Sequence, residues 1–220
     1  MIVTFEEDYL KDLYTEGSSS DKKHRYQPDI VKRYKRCIDY LKAASRKEDL
    51  FLINSLNFEA LQGDKEGRFS IHVNNKYRIE FTLSETIEEP ILTICNIVEL
   101  SNHYKNMIPL PGLGLDMIAN NLIPFEPTHP GKLIKDEMEA LNMTQAKLAE
   151  KIEVKPSLLN EVIKGKRAVN TELALLIEAA INIPADMLLK LQSEYNMQVT
   201  KADDSFMKRL ARVRNIASVL

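Results

Sequence analysis

The sequence predicts an α+β domain followed by an all-α domain, and three observations carry that expectation. Before residue 105, β-branched and aromatic residues alternate with polar ones. After residue 128, apolar residues recur at helical spacing almost to Leu220. Between them, NMIPLPGLGLD (106–116) mixes two prolines and two glycines with apolar residues, which suits neither a helix nor a long strand. At 220 residues the chain has room for two domains of ordinary size. The expected division is a domain over 1–105, a linker over 106–127 and a domain over 128–220. Met117 follows the linker's turn-rich part directly. MIANNLIPFEPTHPGK would serve as the start of an independent protein, so either two reading frames have been joined or Met117 is an ordinary internal residue.

The first half begins with a short strand, MIVTF. Gln27-Pro28 then opens a helix running to about Ala44, and strands are expected over 68–73, 77–82 and 91–100. A helix with a small antiparallel sheet makes this half α+β. On the helix, Ile30, Val31, Tyr34, Ile38 and Leu41 form the apolar side, which leaves Lys32, Arg33, Lys35 and Arg36 to ordinary solvation. Asn74-Asn75 tolerates the positive φ of a hairpin loop. A three-residue loop sets Arg78 opposite His72 on a face shared with Arg68, whereas a two-residue loop sets it opposite Ile71; we take the first register.

In the second half, PGKLIKDEMEAL (130–141) places Leu133, Ile134, Met138 and Leu141 on one stripe, with Pro130 at the first turn. Thr144 can cap a second helix whose small-residue face is Ala146, Leu148, Ala149 and Ile152. Pro156 opens a third helix with Leu158, Leu159, Val162 and Ile163 inward, and Gly165 can end it in a left-handed cap. Asn170 caps a fourth helix over 171–181, and Pro184 starts a fifth through Leu191. DSFMKRLARVRNIASVL (204–220) reads as a further amphipathic helix with Phe206, Leu210, Val213, Ile216 and Ala217 on one side.

The tight pairing of helices two and three is a helix-turn-helix. In that geometry the second helix of the pair enters the major groove. Lys155, Ser157 and Asn160 are the base-contact candidates, and Asn160 has the amide needed to pair with adenine. Gln145, Lys164, Lys166 and Arg167 are placed for phosphates. The formal net charge of −2 does not oppose this, because Lys147, Lys151, Lys155, Lys164, Lys166 and Arg167 face only Glu150, Glu153 and Glu161.

No run approaches the roughly 18 apolar residues of a membrane span, and MIVTFEEDYL carries acids where a signal peptide carries lysines. A cytoplasmic protein without membrane contact is expected. Cys37 and Cys95 lack C-x-x-C spacing and read as reduced thiols, so neither a metal nor a cofactor is implied.

TQAKLAEKIEVKPSLLNEVIKGKRAVNTELALLIEAAINIP resembles the lambda-repressor-like helix-turn-helix domains. With LIPFEPTHPGKLIKDEME before it and MLLKLQSEYNM after it, the second half is similar to the HigA antitoxins. Lys155 stands where that family usually has a capping serine, and Asn182 where it has a helix-ending glycine. The resemblance implies operator DNA as a partner and a homodimer on two half-sites.

FEALQGDKEGRFSIHVNNKYRIEF and the terminal VELSNHYK resemble the HigB toxins of the RelE/ParE-like superfamily over about residues 10–105. The resemblance implies a RelE-like fold and a metal-independent messenger-RNA endonuclease working on the ribosome. It also implies a toxin-antitoxin contact within or between chains. Arg78 matches the arginine of the family's W/Y-R-I-x-F strand, which implies that it stabilises charge on the phosphoryl oxygens. The remaining catalytic candidates are His103 for proton transfer, Arg68, Glu59 and Tyr104, and the RNA-binding candidates are His72, Lys65 and Lys105. His24, in polar, loop-like surroundings, is not a candidate. Where related toxins carry His-Pro-Leu-Lys-Gly this chain has Glu59-Ala60-Leu61-Gln62-Gly63, which leaves open a second reading. In it, the chain is a transcriptional regulator whose toxin-like domain is degenerate and serves in assembly.

Overall fold

The computed structural model describes residues 1–85, 93–102 and 117–217. The first half forms a five-stranded sheet in the order β1 (Ile2–Phe5), β5 (Thr93–Asn102), β4 (Tyr77–Glu85), β3 (Arg68–His72), β2 (Glu59–Ala60). The sheet is mixed rather than antiparallel throughout, because β1 runs parallel to β5. A helical stretch separates β1 from the rest of the sheet and allows that return. It opens with α1 (Asp8–Thr15) and α2 (Pro28–Ala43). Helix α1 was not expected. Its apolar set is only Leu10, Leu13 and Tyr14, two turns that periodicity barely registers.

Both helices contribute to a core against one face of the sheet. Leu10, Leu13, Tyr14, Tyr34, Ile38 and Leu41 meet Val3, Phe5, Ile71, Ile79, Phe81 and Ile97, all of them fully buried or nearly so. Each such side chain contributes about 1.5–3 kcal/mol relative to exposure. Helix α3 (Lys47–Phe51) and a 3-10 turn (Asn54–Leu56) close the end of this layer.

The β3–β4 hairpin has the expected register: His72 faces Arg78, and the Val73 amide bonds the Tyr77 carbonyl at 2.9 Å. The Asn74 side chain accepts from the amides of Lys76 (2.8 Å) and Tyr77 (2.9 Å), which closes the loop. A bulge on β5 sets Glu80 opposite Glu99 and then Phe81 opposite Ile97. Because the bulge absorbs Val98, Phe81 stays in the core while Glu80 stays on the other face.

The second half is helical: α4 (Gly131–Ala140), α5 (Gln145–Lys151), α6 (Pro156–Ile163), α7 (Thr171–Ile181), α8 (Ala185–Lys201) and α9 (Asp204–Ala217). Thr144 caps α5 by accepting from the Lys147 amide at 3.2 Å, and Asn170 caps α7 through the Leu173 amide at 2.9 Å. Asn182 ends α7 at φ 60°, a left-handed position that asparagine tolerates in place of glycine. Helix α8 runs ten residues beyond its expected end at Leu191, because Gln192 and Tyr195 still pack inward, on the Val169 amide and the His129 ring. Helix α9 buries little: Phe206 and Leu210 are half-covered, and Val213 is 56% exposed.

Gly131 marks the closest approach of α4 to α6. A Cβ there would lie 2.1 Å from the Val162 carbonyl oxygen, so Gly131→Ala must push the two helices apart. We expect a loss of at least about 1–3 kcal/mol, the usual cost of overpacking, read as a lower midpoint in thermal denaturation. An unchanged midpoint would contradict this packing.

Part of the expected linker is not a free connection. Residues 117–125 lie along the first half: Ile118 bridges Thr4, Asn120 accepts from the Val3 amide at 2.8 Å, and the Phe125 amide bonds the Tyr14 carbonyl at 3.1 Å. Met117 and Ala119 are buried there.

Candidate functional site

Strand alternation sends Arg68, Ser70 and His72 of β3, Arg78 and Glu80 of β4, and Glu99 and Ser101 of β5 to the sheet face opposite α1 and α2. Glu80 is the centre of this face. Its side chain is fully buried, and its carboxylate accepts from Lys65 Nζ at 2.6 and 2.7 Å, Ser101 Oγ at 2.7 Å and Arg78 Nε at 3.3 Å. Arg68 Nη1 stands 3.6 Å away. Burial alone would raise the Glu80 carboxyl, but the bonds from Lys65 and Ser101 and the charge of Arg78 outweigh it and hold the group below its ordinary value. Glu99, pressed by burial and by the charge of Glu80, moves upward instead. Glu59, on β2, accepts from Ser70 Oγ at 3.0 Å and lies 3.6 Å from Arg78 Nη1.

Five of the expected site residues therefore share one face: Arg78, Arg68, Lys65, Glu59 and His72. His72 Nδ1 is 3.3 Å from Asn57 Nδ2 at the rim. Gln62 is exposed and outside the network. His103, Tyr104 and Lys105 lie outside the described residues. The sequence reading missed Glu80, although YRIEF places it two residues from Arg78 and hence on the same face. Its importance comes from contacts with Lys65 and Ser101, which sequence spacing does not reveal.

A second surface lies on the helix-turn-helix. Lys155, Ser157, Lys164, Lys166 and Arg167 are exposed, and Asn160 is half-buried. Gln145 Nε2 donates to the Pro156 carbonyl at 3.0 Å, tying the start of α5 to the start of α6. Arg167 is held by Glu161 at 2.8 Å. Lys155 stands at the N-cap of α6 without a side-chain capping bond. His129, which the sequence did not single out, stacks under the exit turn of α6 beside Gly165 and accepts from the Gly131 amide at 3.0 Å through Nδ1. Burial lowers its pKa and favours this neutral form.

The two halves meet across α2 and α4. Asp136 accepts from Tyr40 Oη at 3.0 Å and from Arg33 Nη1 at 3.3 Å, with Arg36 Nη1 at 3.9 Å. Glu137, fully buried, accepts from the Asn54 amide (3.0 Å), Asn54 Nδ2 (2.7 Å) and the Ser55 amide (2.9 Å). Lys35 donates to Thr128 Oγ1 at 2.6 Å and pairs with Asp39 at 2.8 Å. This corrects the expectation that Lys35, Arg33 and Arg36 are simply solvated: the second half covers the side of α2 on which they stand.

The fold and its two polar surfaces define a class, a cation-bearing α+β domain joined to a helix-turn-helix domain. Residues 3–91 match the profile described as the RelE-like toxin of the type II toxin-antitoxin system HigB, and residues 134–188 match that of a helix-turn-helix. Toxin HigB-1 of Vibrio cholerae is 33% identical over 82 residues, 37% of this chain and 82% of that protein. The chain belongs to the HigB-like toxin family, with a helix-turn-helix domain fused behind it. It is also 33% identical over 72 residues to virulence-associated protein A' of Dichelobacter nodosus, spanning 63% of that protein's length and 32% of its own. A structure described as Pseudomonas aeruginosa antitoxin HigA with the higBA promoter is similar at 24% identity and a TM-score of 0.36, covering 39% of this chain and 91% of that one. No helix among the described residues is long and apolar enough to cross a membrane.

Proposed function

We infer that this chain is a toxin-antitoxin module on one polypeptide. Residues 1–105 form a RelE-like, metal-independent messenger-RNA endonuclease that acts on the ribosome, and residues 128–220 form a helix-turn-helix antitoxin that neutralises it and represses their shared operon. The observation that carries the reading is the cluster of Lys65, Arg68 and Arg78 gathered on Glu80. Three cations fixed on one face of a small sheet match a substrate that gains negative charge during reaction. In the proposed step a ribose 2'-oxygen attacks the adjacent phosphorus as Glu59 takes its proton, and the bond to the departing 5'-oxygen breaks. Arg78 and Arg68 stabilise the phosphoryl charge, and His103 returns a proton to the leaving oxygen. His72, Lys65, Tyr104 and Lys105 hold the RNA. The module works in the cytoplasm.

The test is expression of residues 1–105 alone, followed by residues 117–220 from a second plasmid. We expect growth arrest, relieved by the second piece. A first fragment that is soluble and folded yet leaves growth and translation untouched would remove the toxin reading. It would favour the alternative of a transcriptional regulator with a degenerate toxin-like domain. That alternative draws on the Glu59–Arg78 pair, because a carboxylate already occupies the cation meant for phosphate.

Operator recognition is assigned to Lys155, Ser157 and Asn160, and phosphate contact to Gln145, Lys164, Lys166 and Arg167. The DNA-binding form is a homodimer on half-sites about one helical turn apart. A Lys164→Ala/Arg167→Ala double variant should weaken binding to all sequences and flatten its salt dependence, whereas Asn160→Ala should cost about 1–3 kcal/mol of preference at one base pair. Equilibrium binding at several salt concentrations measures both, and unchanged binding in both variants would exclude α6 as the reading helix.

A further inference from the structure

A groove running from the junction of the two halves onto the first half belongs to neither surface described above. One part is a cavity of about 510 Å³ between α2 and the chain leading into α4, where Lys32, Arg33 and Arg36 face Thr128 and Lys132. The other, about 650 Å³, lies between the start of α2 and the β3–β4 loop, lined by Arg25, Tyr26, Lys76 and Tyr77. The two share Ile30 and Asn74, so they lie next to each other along one track. It shares no lining residue with the Glu80 cluster or with α6.

The chemistry of the track is lopsided. Arg25, Lys32, Arg33, Arg36, Lys76 and Lys132 line it against two carboxylates, Asp29 and Glu126. Among the described residues, Arg25, Lys32, Lys76 and Lys132 make no ion pair. Arg33 and Arg36 are held by Asp136 through Nη1, yet Nε of each is buried without a hydrogen-bond partner. A buried donor left in that state is costly unless an acceptor answers it. Tyr26 and Tyr77 supply ring surface: they meet edge to face at 5.6 Å, and Tyr26 is fixed by its hydroxyl on the Leu100 carbonyl at 3.1 Å.

We propose that this seam groove binds the backbone of a single-stranded nucleic acid, with its cations on successive phosphates and Tyr26 and Tyr77 as the base-stacking floor. A row of cations beside fixed aromatic rings is the general device for holding single strands without reading their sequence. Two adjacent cavities extend beyond what one phosphate would fill. Because Thr128 and Lys132 come from the second half, a bound strand touches both halves and favours their docked arrangement. The proposal rests on no step of RNA cleavage.

The test uses the full chain carrying Arg78→Ala, Lys164→Ala and Arg167→Ala, which weakens the catalytic and operator surfaces as alternative sites. Fluorescence anisotropy follows labelled oligouridine RNA and oligothymidine DNA of about ten nucleotides, within the range of single-strand sites. We expect salt-dependent binding of at least one of the two. Adding Lys32→Glu, Lys76→Glu and Lys132→Glu, all at exposed positions, should weaken it at least about tenfold and flatten the salt slope, which is about 0.7 per phosphate contact for single strands. Binding of RNA and DNA alike supports backbone recognition, and binding of RNA alone supports it with a contribution from the ribose hydroxyl. Failure of both strands to bind overturns the proposal. So does unchanged affinity in the charge-reversed chain with an unaltered circular dichroism spectrum, or displacement of the strand by inorganic phosphate at equal phosphate concentration.

Discussion

Arg78→Ala in the 1–105 fragment is expected to abolish growth arrest, with messenger-RNA cleavage falling about 10²–10³-fold, the scale of losing one preorganised donor to a developing oxyanion. Two features make Arg78 the most sensitive position. It is bound on both sides, by Glu80 at 3.3 Å and Glu59 at 3.6 Å, so its guanidinium is held in place before substrate arrives. It also sits directly across from His72 on the paired strand, at the point where the sheet face meets the hairpin loop. Arg78→Lys should recover only part of the rate, because an ammonium keeps the charge but loses the planar fork that meets two phosphoryl oxygens. Ribosome-programmed cleavage of a reporter message, measured as a single-turnover rate, distinguishes the variants. A rate within a factor of two or so of the parent in Arg78→Ala would displace this residue from the reaction.

The second large effect concerns the seam. Asp136→Lys/Glu137→Lys in the 117–220 fragment should prevent it from relieving arrest. Glu137 answers two backbone amides and one side-chain amide of the first half, and Asp136 answers Tyr40, Arg33 and Arg36. Breaking a buried charge pair costs about 3–5 kcal/mol because the partner is left unanswered, and reversal adds repulsion from the two arginines. Association between separate fragments should therefore weaken by more than about a thousandfold. In the intact chain the tether raises the effective concentration of the partner and offsets part of the loss, so the same substitutions should be less toxic there. Co-purification of the fragments gives a readout independent of growth. Undiminished co-purification would show that the apolar contacts of the strap at 117–125, not the α4 carboxylates, hold the halves together.

Legibility differed between the two halves for a physical reason. Helix periodicity, caps and breakers act within a few residues, and Thr144, Pro156, Gly165 and Asn170 each mark a boundary that the structure places within a residue or two. Strands β1, β3, β4 and β5 were legible from alternation, and the hairpin register from loop length, whereas the two-residue β2 is too short to show a pattern. The order of the strands was not legible, because β1 joins β5 through a parallel pairing of residues about ninety positions apart, for which no local pattern exists. Helix α1 escaped because two turns carry too few apolar positions to show a period.

By itself the sequence determined the two fold classes, the extent of α6 with Lys155, Ser157 and Lys164 off its apolar stripe, and the shared face of Arg68, His72 and Arg78. All follow from short-range rules of capping, spacing and strand alternation. Only the tertiary structure decided that Glu80 is the hub of the cation cluster, that Lys35, Arg33 and Arg36 belong to the seam, and that Asp136 and Glu137 fit into it. Those facts depend on burial: a carboxylate or an ammonium reads the same in any sequence, and its partner and its distance from water set what it contributes.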